Sequence, residues 1–330
     1  MSPWIRLAFL ALGAAVLLLL IASTDLGELQ TAVSAADRGL LLVAVALVVI
    51  NVGIKAVRWR FMTAQLTERP LSLWQAGIAV LAGVAAGSLT PARGMDLAKP
   101  LLLRRSRGVP MSVSTAAVIV ERLLDGAGLI VLCGVSLVLL PAGRAAVFGP
   151  VFAVIGLVIA AMGVALVIPA RMVGPLTRVI SSLPLSQRVR TRAVGLLEAF
   201  VHGMLVWRRP AQLWVAAALS VAAAAVEALR LVSVLAAMHA SLSLAQAMFA
   251  FSLGNVIAVL TFIPGGVGVT ELSVAGVIRL IAPGVAAAAL TAAVLVDRFL
   301  SYYVIVVLGG LVLLLSGAAR REPPGNAGTE

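Results

Sequence analysis

Five ionisable residues stand where apolar side chains would be expected. Glu121, Arg122 and Asp125 fall inside the apolar run 112–140, and Asp297 and Arg298 fall inside the run 286–315. Glu121 and Asp125 are four apart and share a helix face, while Arg122 and Asp125 are three apart and can pair. At 1.5 Å per residue the first group lies ~15–20 Å into its helix, near the middle of a bilayer. A charge at that depth costs roughly 2.5–3.5 kcal/mol on the insertion scale, so five of them demand mutual pairing or water. Two readings follow. One is a buried ion-pair network that locks helix packing. The other is a hydrated path in which arginines hold phosphate and carboxylates hold cationic groups or protons.

Other polar groups join them. Glu271 follows the stretch Pro264-Gly265-Gly266-Val267-Gly268, and Arg93, Asp96 and Lys99 follow Pro91, with Gly94 between. Arg93, Asp96 and Lys99 have a second reading, because they can reach cytoplasmic headgroups by snorkelling. Asn255 faces either a cavity or a neighbouring helix. The candidate translocation path is therefore Arg93, Asp96, Glu121, Arg122, Asp125, Asn255, Glu271, Asp297 and Arg298. A single cysteine, Cys133, rules out an internal disulfide framework, and two distant histidines, His202 and His239, leave no His-cluster metal site. No cofactor is expected.

The elements that must position these residues are membrane helices. Of 330 residues 62% are hydrophobic and 12% charged, and mean hydropathy is +1.12; a soluble domain is about half apolar and a quarter charged. The net charge of +12 is concentrated in a few loops, so it is read as a topology signal and not as nucleic-acid binding. Full spans are expected at about 4–23, 40–57, 112–140, 147–169, 211–236 and 286–315. The first is a retained signal-anchor. Two further apolar regions, 75–103 and 244–282, are interrupted at Pro91 and Pro264. Proline stops the preceding helix and glycine permits unusual backbone angles. Broken backbone at membrane depth survives only inside protein or beside a water-filled cavity, so each region is expected to be a re-entrant hairpin.

Positive loops set the orientation. The second span reaches the cytoplasm at Lys55, Arg58, Arg60 and Arg69, and a basic connection covers 170–210. Part of that connection, 187–207, is expected to be an interfacial amphipathic helix or a solvated loop. Six spans and two hairpins leave both termini inside, with a single membrane domain over 1–317 and a disordered cytoplasmic tail over 318–330. The expected fold class is an all-α polytopic, inverted-repeat, transporter-like bundle.

The repeat is legible in landmarks. Leu73-Trp74-Gln75-Ala76 matches Leu244-Ala245-Gln246-Ala247, and Val118-Ile119-Val120-Glu121-Arg122 matches Val294-Leu295-Val296-Asp297-Arg298. Each bend proline is followed by an acid and leucine, Asp96-Leu97 and Glu271-Leu272, and Ser301 stands where the first half has Asp125. Arg58 and Arg230 precede the two glutamines at similar distances. Repeat one covers about 40–140 and repeat two about 211–315. With the topology above the repeats are inverted, an arrangement that places substrate sites near the midplane at discontinuous helices.

The motifs Pro264-Gly265-Gly266-Val267-Gly268-Val269-Thr270-Glu271, Pro91-x-Arg93-Gly94-x-Asp96 and Glu121-Arg122-x-x-Asp125 resemble the flippase-like transmembrane domain of lysylphosphatidylglycerol synthases. The resemblance runs from about residue 5 to 317. It implies movement of a lipid, such as an aminoacylated phospholipid, between leaflets of a bacterial cytoplasmic membrane. The soluble aminoacyl-transfer domain has no counterpart in this sequence, so lipid synthesis is not implied. Asp96 replaces an expected glutamate, and Ser88 an asparagine.

The expected function is thus a lipid flippase or transporter and not an enzyme. Alternatives are a membrane-embedded enzyme acting on headgroups through its carboxylates, a transporter of a small soluble anion or amino acid, or a scaffold. Expected partners are membrane lipids, anionic or aminoacylated, with room for a separate lipid-modifying enzyme or a homo-oligomer.

Overall fold

A computed structural model of the chain describes residues 26–88, 96–140, 174–180, 182, 187–205, 210–240, 242–261 and 263–318. The protein is an all-α polytopic membrane protein, and no strand occurs among the described residues. The expected spans 4–23 and 147–169, the bend residues Pro91, Arg93 and Gly94, and the tail beyond Ala318 lie outside the described residues.

The first half contains α1 (Leu26–Ser34), α2 (Arg38–Thr63), α3 (Leu73–Ser88), α4 (Ala98–Arg107) and α5 (Met111–Val138). α6 (Gln187–Leu205) fills the basic connection. The second half contains α7 (Pro210–Ala237), α8 (Leu244–Leu260), a single 3-10 turn (Pro264–Gly266), α9 (Val269–Ile281) and α10 (Ala287–Arg298). A π-helical segment (Phe299–Tyr303) then leads into α11 (Val304–Ala318). Among the described residues three stretches are long and apolar enough to cross a membrane: Arg38–Thr63, Ala211–Ala237 and Ala287–Leu315. α5 has the length, 28 residues, but carries its charges in the middle.

α2 and α7 are the central pair and run antiparallel. Gln212 at the start of α7 donates to Gln65, just past the end of α2, at 2.6 Å. At the other end the Asp37 amide donates to Ala237 O at 3.0 Å. Asp37 also caps α2, accepting from the Gly39 and Leu40 amides, which satisfies the orphan donors of the first turn.

The described arms of each interrupted region pack on each other, α3 on α4 and α8 on α9. α3 has 16 residues and α8 has 17. At 1.5 Å per residue each arm is ~25 Å long, short of a ~30 Å hydrocarbon core. Each arm begins with the same device: Ser72 and Gln75, and again Ser243 and Gln246, exchange side-chain-to-amide hydrogen bonds in a capping box. Each hairpin also closes at its mouth. Arg107, ending α4, donates to Gln75 at 2.8 Å and to Arg69 O at 2.7 Å, and Gln246 donates to Ile281 O at 3.3 Å. Both arms of a hairpin therefore return to one end of the bundle. The first mouth lies where α2 ends and the second where α7 ends, which are opposite ends.

Packing between the halves follows the same correspondence. α3 packs on α11 as α8 packs on α5, and α4 packs on α5 as α9 packs on α10. Two apolar clusters form, one drawn mostly from each half. Trp59, Met62 and Leu103 centre the first, and Leu231, Phe249, Ile278 and Leu290 the second. Leucines and valines such as Leu42, Val49, Leu314 and Leu315 face outward, as a lipid-facing surface requires. Trp74 and Trp214 are both exposed and sit near the end marked by Gln212 and the first mouth, in the manner of an interfacial aromatic belt.

Three differences from the sequence reading stand out. α2 does not end near residue 57 but continues to Thr63, because Lys55 and Arg58 are paired inside the bundle and do not stop the helix at the water interface. α1 was not foreseen; it packs on α10. The last span is interrupted by the π segment directly after Arg298. The helix expected over 187–207 is present as α6, packed on α5, where a Cβ on Gly203 would lie 3.0 Å from the Val113 backbone.

Candidate functional site

The buried charges of the first half close into a ring. Arg122 holds Asp96 at 3.3 Å, and Lys99 holds Asp96 at 3.2 Å and Glu121 at 2.8 Å. Arg58 holds Glu121 at 2.8 Å and Asp125 at 2.5 Å, and Asp125 returns to Arg122 at 3.4 Å. Cations and anions alternate around six positions contributed by α2, α5 and the foot of α4. Each member touches two of opposite sign, so no charge is left uncompensated, the condition under which buried ion pairs survive. Arg58 also donates to Ser220 of α7 at 2.6 Å, and the Lys99 ammonium lies over the Trp59 ring, 5.0 Å from its centroid.

Exposure divides the ring. The side chains of Arg58, Asp96, Lys99 and Glu121 are at most 4% exposed, whereas Arg122 is 31% and Asp125 28% exposed. The path residues Arg122 and Asp125 are thus the partly exposed members of the ring. Asp96 needs close backbone approach. A Cβ on Gly83 of α3 would lie 2.7 Å from its carboxyl carbon, so only glycine fits there.

The second half repeats the geometry with two charges fewer. Arg230 grips Asp297 through two bonds, at 2.8 and 3.1 Å, as Arg58 grips Glu121. Arg298 holds Glu271 at 2.9 Å, as Arg122 holds Asp96. Where the first half has Lys99 and Asp125, the second has Val274 and Ser301. One cation and one anion are missing together, so the ring opens into two neutral pairs. Tyr303 also donates to Glu271 at 3.3 Å. One oxygen of each bend acid, Oδ1 of Asp96 and Oε2 of Glu271, is buried without a hydrogen-bond partner among the described residues.

The second bend is fixed by this cluster. Gly265, Gly266 and Gly268 have φ of 68°, 64° and 78°, the left-handed region that side chains disfavour. Arg298 donates to Gly265 O at 3.0 Å, and its guanidinium lies 4.4 Å from the Tyr302 ring centroid. The π segment presents both Tyr302 and Tyr303 to the bend; π-bulges recur at functional sites.

A polar cavity of about 80 Å³ lies between the halves. Lys55 of α2, Glu227 and Arg230 of α7, Asn255 of α8, and Asp297 and Ser301 at the broken helix line it. Asn255 faces this cavity and anchors its amide to Phe251 O at 2.8 Å. Lys55 and Glu227 pair at 2.5 Å across it, with side chains 26% and 22% exposed.

The sequence picked out Asp96, Glu121, Arg122, Asp125, Asn255, Glu271, Asp297 and Arg298, and all line one of these clusters or the cavity. It missed Lys55, Arg58, Glu227 and Arg230 as site groups. Lys55 and Arg58 are not cytoplasmic surface charges: Arg58 is 1% exposed. Lys99 does not snorkel outward, since it is 3% exposed and doubly paired. The available signal was that Lys55-x-x-Arg58 and Glu227-x-x-Arg230 share their internal spacing and stand at similar distances before the two glutamines.

Over residues 4–309 the sequence matches the family described as Lysylphosphatidylglycerol synthase TM region. It is also 28% identical over 320 residues to a UPF0104 membrane protein of Methanothermobacter thermautotrophicus, covering 90% of this chain and 89% of that protein. The chain belongs to the lysylphosphatidylglycerol synthase transmembrane-region family.

Proposed function

We propose that this protein moves a polar-headgroup lipid, a phospholipid or aminoacyl-phospholipid, between the leaflets of a cytoplasmic membrane, with both termini on the cytoplasmic side. The observation that carries the reading is the half-open pair Arg122 and Asp125, held at mid-helix by a ring that is otherwise sealed. A structure built only for packing gains nothing by leaving two of six membrane charges reachable, whereas a headgroup needs such a foothold.

The two halves supply the rest of a transport cycle. Their central helices are antiparallel and their hairpins open at opposite ends, which supports reading them as inverted repeats with re-entrant hairpins. In such proteins rocking of one repeat against the other exposes a fixed midplane site to each side in turn. Arg122 would take a phosphate in the bidentate fashion of a guanidinium, Asp125 and the cavity acids would take cationic groups, and the tails would stay in lipid. Arg93, on the first bend, is assigned to the same path from its place in the sequence.

The test is Arg122→Ala in proteoliposomes carrying fluorescent phospholipids. Loss of translocation is expected with folding retained, because Asp96 keeps Lys99 and Asp125 keeps Arg58. Wild-type translocation by this variant would remove the assigned role.

A further inference from the structure

We infer that Lys55 and Glu227 form an exchangeable ion pair at the headgroup seat, and that they select headgroups carrying both a phosphate and an ammonium group. The inference rests on the lipid-transport reading and adds what the seat discriminates.

The pair occupies equivalent places in the two halves. The partners are 172 residues apart, the same interval as from Arg58 to Arg230, and each sits three residues before its arginine. They come from α2 and α7, so the contact joins one repeat to the other. It is also the most open of the cavity's charge pairs. Arg230 and Asp297 are at most 8% exposed and doubly bonded, and Arg298 is tied to Glu271 and the Gly265 carbonyl. Arg230, Asp297 and Arg298 are thus each held by two hydrogen bonds, whereas Lys55 and Glu227 share one bond and face the cavity.

At about 80 Å³ the cavity admits a few waters or one small polar group. A headgroup enters only if Lys55 and Glu227 part. Separating them leaves a cation and an anion in a poorly solvated space, and removing one partner of a buried pair is strongly unfavourable because the other charge stands uncompensated. An anionic headgroup satisfies Lys55 but sets its own charge against an unpaired Glu227. A headgroup with phosphate and ammonium satisfies both, with Asn255 and Ser301 available for its remaining hydrogen bonds. A charge-balanced lining thus selects a charge-balanced ligand, and it does so by penalising the unbalanced one.

The experiment titrates purified protein in neutral detergent with short-chain phosphatidylethanolamine and short-chain phosphatidylglycerol. Wild type is expected to bind the zwitterionic lipid about tenfold more tightly. Glu227→Gln is expected to erase or reverse that preference. The double variant Lys55→Gln with Glu227→Gln leaves no lone charge, so it guards against misfolding, and its preference is expected to fall within about twofold. Equal binding of the two lipids by wild type, or an unchanged preference in the double variant, overturns the inference. Translocation is measured separately in vesicles. If wild type moves no lipid but shows the pair-dependent preference, the transport reading fails and the seat stands. If it moves lipid and the preference ignores the pair, only the seat fails.

Discussion

Arg298 donates to the carbonyl oxygen of Gly265 at 3.0 Å, so a guanidinium at the end of α10 holds the turn between α8 and α9. The same side chain grips Glu271 just beyond the turn. The bend is therefore clasped from both sides by a helix that is distant in sequence, and its shape depends on that helix as much as on its own glycines.

Gly265→Ala is expected to lower stability by more than the ~1–2 kcal/mol of a left-handed backbone. A Cβ there would also collide with the Tyr302 hydroxyl and lie 2.7 Å from its Cζ. Tyr302→Phe removes the hydroxyl and should restore part of the loss. Thermal melting in detergent of the single and double variants checks this; no rescue would mean that the backbone carries the whole effect.

Arg58→Ala and Arg122→Ala should separate cleanly. Arg58 is 1% exposed and holds two acids and Ser220, so its loss is expected to cost about 3–5 kcal/mol, the range for breaking a buried pair. Arg122 is partly solvated and its partners keep other cations, so about 1 kcal/mol or less is expected. Denaturation midpoints decide, and equal destabilisation would contradict the division of the ring into sealed and reachable members.

Sidedness of the hairpins is directly measurable. In a Cys133→Ala background, Ser106→Cys marks the first mouth and Gly284→Cys the second. An impermeant maleimide is expected to reach them from opposite faces of intact vesicles. Labelling of both from one face would end the inverted-repeat reading.

Much of this was legible in the chain itself. The acid-arginine pairs and the bend prolines each carry a local chemical meaning, and together with the Leu-x-Gln-Ala landmarks their recurrence marked the halves. What stayed hidden were contacts whose partners are far apart. Arg58 reads as a loop charge until Glu121 and Asp125, more than 60 residues on, are seen around it, and the same holds for Arg230 and Asp297. Lys99 reads as a snorkelling side chain because three residues of sequence cannot reveal Glu121 beneath it. The π segment has no residue signature; Tyr302 meets Arg298 there, and Tyr303 meets Glu271, 32 residues away in the chain.

The missing pair in the second half has a consequence for how such a protein can change over time. Lys99 and Asp125 in one half correspond to Val274 and Ser301 in the other. Losing either alone leaves the ring with an unequal number of cations and anions, and only the loss of both is neutral again. If the halves arose by duplication, they could not drift apart one substitution at a time at these sites. They had to cross an unfavourable intermediate, or cross it while lipid or water lent the missing charge. On that premise, divergence at these two sites would proceed as a matched couple.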